Sequence, residues 1–197
     1  MPQEIDFFKR LQEQSNVSKN IIDVLHRVYM LQSDAPDAIK SVIQTAEEMR
    51  SGNLMELGQA FLTPVDKESI SRAYINLDWV VMSVKHLVVE LEIYEITELA
   101  EYKIIFDLLK EQMENIHAGF GTLNDKTEEK TSKHVYQIIH CDNELIGEYA
   151  RQVSILLSGN EIKKIIARKE ILNQLKEISK RIRLCANDLE DIVFKMS

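Results

Sequence analysis

Breaks are scarce in this chain: six glycines and three prolines punctuate 197 residues, and short alternating runs of β-branched residues are absent. What fills the space between breaks is apolar spacing in steps of three and four. Ile70, Ala73, Leu77, Val80, Val84, Leu87 and Leu91 follow that rule. So do Leu99, Tyr102, Phe106, Leu109, Met113 and Ile116, and at the C-terminus Leu175, Ile178, Ile182, Cys185, Leu189, Ile192 and Met196. A 3.6-residue period places each set on one face of a helix, so the spacing predicts an all-α fold of packed amphipathic helices.

The breaks divide the chain into six long helices. Ser33-Asp34-Ala35-Pro36 ends a first helix over about residues 3 to 31 and sets Pro36 at a first helical position, where its missing N–H is no loss. A second helix runs to Leu62. Asp66, with Glu68 in the first turn and Ser69 three residues on, caps a third. Gly119-Phe120-Gly121 closes the fourth as a helix C-cap, Asp125-Lys126-Thr127-Glu128 has the spacing of a capping box for the fifth, and Ser158-Gly159-Asn160 parts the fifth from the sixth. The expected arrangement is two tandem three-helix bundles, residues 1–94 and 95–197, forming one compact unit. A hydrophobic content of 45% suffices for a sizeable core.

A net charge of −8, with no dense Lys/Arg block, argues against nucleic acid as a ligand. Cys141 and Cys185 sit inside amphipathic stretches and not in a CxxC pair, as buried reduced thiols of a cytoplasmic protein would. The N-terminal MPQEIDFFKRLQEQ is charged throughout, and no apolar run approaches the ~20 residues of a membrane span.

The stretch FLTPVDKESISRAYINLDWVV, from Phe61, carries the most specific pattern: an F-[IL]-T-P-[FV]-D-[RK]-[ED]-x-I turn followed by L-D-x-V. Phe61, Thr63, Pro64, Asp66, Lys67, Glu68, Ile70, Leu77, Asp78 and Val80 match it. In this the chain resembles the PhoU-like phosphate transport regulators, accessory proteins of low-affinity phosphate transporters. The resemblance implies two three-helix bundles, with Thr63, Pro64 and Asp66 as the hinge that reverses helix two into helix three. It implies a non-enzymatic role in regulating inorganic phosphate transport, with a transporter or its regulatory kinase as partner, contact with the membrane only through that partner, and self-association as a dimer. The alternative is a generic cytoplasmic adaptor that binds another protein through its amphipathic faces.

Family members hold iron or zinc on Glu-x-x-x-Asp motifs, because carboxylates one turn apart share a face and suit hard cations. Here the motifs are degraded. The first falls at Ile43 and Glu47; in the third helix Asp78 is followed by Trp79 and Met82; in the second half the motif lies at Ile139 and Asn143 or at Ile138 and Asp142; in the sixth helix Glu177 has Lys180 one turn on. Glu47, Asp78, Asp142 and Glu177 remain as weak metal candidates, and the expectation is that no cofactor is held. His140-Cys141-Asp142 places three ligand types side by side, but neighbours on a helix point about 100° apart and cannot converge on one ion. Asp142 falls on the apolar seam of Val135, Ile138, Leu145 and Tyr149, where it needs a partner. The run Lys163, Lys164, Arg168, Lys169, Lys176, Lys180, Arg181 and Arg183 reads as a solvated face paired with acids, or else as a strip for an anion or partner. No nucleophile–base or paired-carboxylate set appears at defined spacing, and the lone Glu114-x-x-His117 lacks the second such pair of a ferritin-type site.

Overall fold

The computed structural model describes residues 5–125 and 128–196. Six helices carry the fold: α1 (Phe7–His26), α2 (Asp37–Gln59), α3 (Lys67–Ile93), α4 (Lys103–Gly121), α5 (Glu128–Leu157) and α6 (Ile162–Met196). No strand occurs among the described residues. The three apolar seams are the core: every residue of the Ile70 to Leu91 and Leu99 to Ile116 sets is buried, as is the last set up to Ile192. Cys185 takes an ordinary place in that core.

The helices fall into two groups of three. α1, α2 and α3 pack against one another, as do α4, α5 and α6, and the groups meet where α1 lies on α4 and α3 on α6. One continuous apolar cluster runs through both. Each group is tied by a buried glutamine on its first helix. Gln14 of α1 donates to the Tyr74 carbonyl of α3 at 2.7 Å and accepts from Asn53 of α2 at 2.8 Å. Gln112 of α4 donates to Ser179 of α6 at 2.9 Å and to the Ile138 carbonyl of α5 at 3.4 Å. A buried polar atom without a hydrogen bond is costly, so each amide favours few relative positions of its three helices, although Gln112 Oε1 finds no partner among the described residues.

Several boundaries differ from the sequence reading. α1 ends at His26 and passes into a π turn over Arg27–Leu31, closed by Gln32 in the left-handed region at φ 50°. Pro36 precedes the first residue of α2 with helical angles, φ −55° and ψ −28°. α2 stops at Gln59, short of Leu62. Ala60 is already extended, φ −64° and ψ 137°, so the chain leaves the helix before the proline is reached. The glycines at the end of α4 are not left-handed caps, because no glycine has positive φ. They sit where other chains come close: a Cβ on Gly119 would lie 2.5 Å from Leu189 Cδ2 of α6, and one on Gly121 would lie 2.7 Å from Gln12 Nε2 of α1. The capping-box reading at 125–128 includes Lys126 and Thr127, which lie outside the described residues.

Candidate functional site

Residues 60–66 turn α2 back into α3. Asp66 is the N-cap: its carboxylate accepts from the Ser69 N–H at 2.9 Å. Lys67 Nζ reaches back to the Gly58 carbonyl at 3.2 Å, and Val65 is buried as the anchor of the loop. The first two residues of the motif do no packing. Phe61 is 98% exposed and Leu62 79%. Beside them Leu62, Thr63 and Pro64 form one wall of a cleft of about 430 Å³, and Ile5, Phe7 and Phe8 at the start of α1 form the other.

The C-terminal end of α6 is clamped to this hinge by a charged network that spacing alone did not reveal. Asp188, whose side chain is 4% exposed, accepts from Arg72 Nε at 2.7 Å and from Asn76 Nδ2 at 2.6 Å. Asp191 accepts from Arg72 Nη2 at 2.5 Å and from the Ser69 hydroxyl at 2.7 Å. Lys195 lies 3.0 Å from Asp66 and 3.1 Å from Asp191. Burial pushes the Asp188 carboxyl up, against the pull of Asn76 and Arg72. The Ser69 hydroxyl, with Lys195 and Arg72, holds Asp191 down, and the Ser69 N–H followed by Lys195 holds Asp66 at about 2. The partners joined between α3 and α6 are more than a hundred residues apart in sequence. The one legible sign was Asp188 lying one turn from the buried Cys185, beside an otherwise apolar seam. Phe194, next to Lys195, is 80% exposed, so the same end of the molecule presents Phe61, Leu62 and Phe194 outward.

The four carboxylates considered for metal are spread over two faces, each with a cation beside it. Glu47 of α2 is 3.3 Å from Lys85, and Asp78 of α3 is 3.2 Å from Arg50. Those two acids are close enough to interact: burial first and then Glu47 push the Asp78 carboxyl up, while Arg50 and Lys85 oppose them. Asp142 of α5 accepts from the Ser179 hydroxyl at 2.7 Å, with Arg183 at 3.8 Å. Glu177 of α6 is bound by Arg181 at 2.7 Å and Lys180 at 3.5 Å, and the Arg181 guanidinium stacks 4.9 Å from the centre of the Trp79 ring. Among the described residues no three His, Cys, Asp or Glu side chains are grouped to hold a metal ion. An ion arriving at any of the four would have to displace a Lys or Arg that already neutralises the carboxylate.

His140, Cys141 and Asp142 diverge as the helix geometry requires. His140 points outward, 3.6 Å from Glu144; Cys141 is buried, its thiol pushed up to about 11 chiefly by burial; Asp142 turns to α6. Most of the basic run on α6 is paired, Arg168 with Glu101 and Lys164 with Glu161, while Lys176 lies over the Tyr149 ring. Lys163 and Lys169 have no ion-pair partner among the described residues.

No protein-family model matches the chain. It is similar to a curated bacterial protein, UPF0111 protein YkaA of Bacillus subtilis (strain 168), at 28% identity over 145 residues, which cover 72% of this chain and 70% of the relative.

Proposed function

We propose that this protein is a non-catalytic accessory protein of inorganic phosphate transport, which acts by docking its hinge end on a transporter or on the signalling partner of one. The observation that carries the reading is the use of the 61–70 motif. Pro64, Val65 and Asp66 serve the fold, but Phe61, which opens the motif, is 98% exposed. A helical protein gains nothing internally from an aromatic side chain held in water, and aromatic side chains are enriched where partners bind. Leu62 beside Phe61 is 79% exposed, and Phe194, next to the Lys195 that pairs with Asp66, is 80% exposed.

Among the described residues a serine–histidine contact, Ser15 Oγ to His117 Nδ1 at 3.1 Å, is not an activated nucleophile: Ser15 is fully buried and its hydroxyl donates to the Gln12 carbonyl at 2.7 Å. Burial lowers the His117 pKa, and no carboxylate among the described residues bonds its ring.

Deleting the gene should alter phosphate uptake or its response to phosphate supply, and a Phe61→Ser variant should reproduce the deletion while folding normally. Uptake unchanged at every phosphate level would count heavily against the reading. The second reading, a helical adaptor for another protein, is favoured by apolar side chains exposed outside the hinge, such as Tyr136 at 71%. Affinity purification under native conditions separates the two: the first requires a phosphate transporter or its regulatory kinase in the bound fraction, released by Phe61→Ser.

A further inference from the structure

The far end of the molecule has a different character. Residues 149 to 170, comprising the end of α5, the turn and the start of α6, include no buried residue. α5 has 30 residues and α6 has 35, against 19 in α4, so this pair outruns the helix it packs on. Gln152 donates to the Glu101 carbonyl at 3.4 Å, and Arg168 bonds the Glu98 carbonyl at 3.4 Å and the Glu101 carboxylate. Beyond those ties a cleft of about 470 Å³ opens between Tyr94–Glu98 and the side of α6 that carries Lys163, Lys164 and Ala167.

Ile155, Leu157, Ile162 and Ile166 at this tip are each more than half exposed. Lys163, Lys164 and Lys169 stand among them. Lys164 is 3.8 Å from Glu161 with both side chains largely in water, and the other two are unpaired among the described residues. Residues 149–170 carry five Lys or Arg against Glu161 and Glu170 in a chain of net charge −8, a local excess of cations set between aliphatic side chains, with Glu95 and Glu98 across the cleft. The arrangement decides the kind of surface that fits. Ile162, Ile166 and Lys169 follow one stripe of α6, whereas Ile155 and Leu157 are two residues apart on α5 and point to nearly opposite sides. A rigid protein face could cover one side of such a tip. A deformable lipid interface surrounds it, takes up aliphatic groups from every direction and supplies phosphates to the lysines.

We propose that the α5–α6 tip is a lipid-binding element that seats on an anionic membrane surface, with Ile155, Leu157, Ile162 and Ile166 entering the interface and Lys163, Lys164 and Lys169 on headgroup phosphates. No described helix is long and apolar enough to cross a membrane, and the attachment is superficial. It is independent of the hinge-end reading, since α6 separates the two ends by about 50 Å.

Full-length protein should co-sediment with vesicles of equal parts phosphatidylglycerol and phosphatidylcholine, and not with phosphatidylcholine alone. Lys163→Ala with Lys169→Ala should lower binding by roughly tenfold or more, as should raised salt. Ile162→Asn with Ile166→Asn should abolish it. These side chains are exposed, so circular dichroism and melting should match wild type for both variants. Failure of the wild type to bind the mixed vesicles, or binding that survives either pair of substitutions, overturns the proposal. So does a dimer seen by light scattering that Ile162→Asn with Ile166→Asn disrupts while wild type ignores vesicles, because the tip would then join copies of the chain.

Discussion

Arg72 holds the most exposed end of a bond whose other end is almost dry. Replacing it with Met would leave Asp188 with Asn76 alone, inside the α3–α6 contact. Removing one partner of a fully buried pair costs about 3–5 kcal/mol; with Arg72 41% exposed, solvent screening reduces the expected loss to about 2 kcal/mol, measurable by urea unfolding. Asp188→Asn in the same chain should recover part of that loss, since it removes the charge that needs Arg72. Asp66 behaves in the opposite sense with pH. Its folded pKa of about 2 lies below the ordinary carboxylate value of about 4, so its contribution is present above about pH 4 and is lost as the pH falls through 2. The melting-temperature gap between wild type and Asp66→Asn should therefore be constant near neutrality and close between pH 4 and pH 2. A gap that persists at pH 2 would mean that the cap acts without its charge.

At the scale of helices, spacing accounts for the apolar faces and not for how near two helices come. Gly119 permits the approach of α4 to α6, where Leu189 fills the space a Cβ would need. Gly119→Val should destabilise by about 1–3 kcal/mol through overpacking, although valine is no worse than glycine as a helix former. Equal or greater stability would show that Leu189 can swing aside. The end of α3 offers the converse case. Glu95 occupies the left-handed position after the helix, φ 55°, while Ile96 N–H closes on the Leu91 carbonyl at 2.9 Å. Glycine is the residue that adopts these angles without strain, so Glu95→Gly should raise stability by up to about 1 kcal/mol in the same assay.

For the whole molecule, metal content is the measurement with the widest consequence. Each of Glu47, Asp78, Asp142 and Glu177 has Lys or Arg beside it, and one or two carboxylates with open positions hold transition metals weakly. Protein purified without chelator or a metal-binding tag should contain well under one equivalent of iron or zinc. Two or more ions per chain would require Arg50, Lys85, Arg181 and Arg183 to move away from these acids. Light scattering at micromolar concentration should show a dimer that Ile162→Asn with Ile166→Asn leaves intact, on account of apolar side chains exposed outside the α5–α6 tip, such as Met55 and Tyr136; a monomer throughout would leave those side chains to other partners.

Helix identity, the three apolar seams, the hinge and the cap at Asp66 were all readable along the chain, because each depends on residues within a few positions of one another. α2 ends three residues short of what the apolar pattern predicts, since Phe61 and Leu62 continue that pattern while the backbone is already extended at Ala60. The Asp188–Arg72–Asp191–Lys195 clamp was not readable beyond the placing of Asp188 beside an apolar seam. Neither were the cations that face the four carboxylates from neighbouring helices, or the overhang of α5 and α6 beyond the body. The reason is common to all three: periodicity states which side of a helix faces inward, but not which helix lies opposite or how far one extends past another. Those relations arise only when the six helices pack, and they determine which charges are paired and which apolar side chains remain in water.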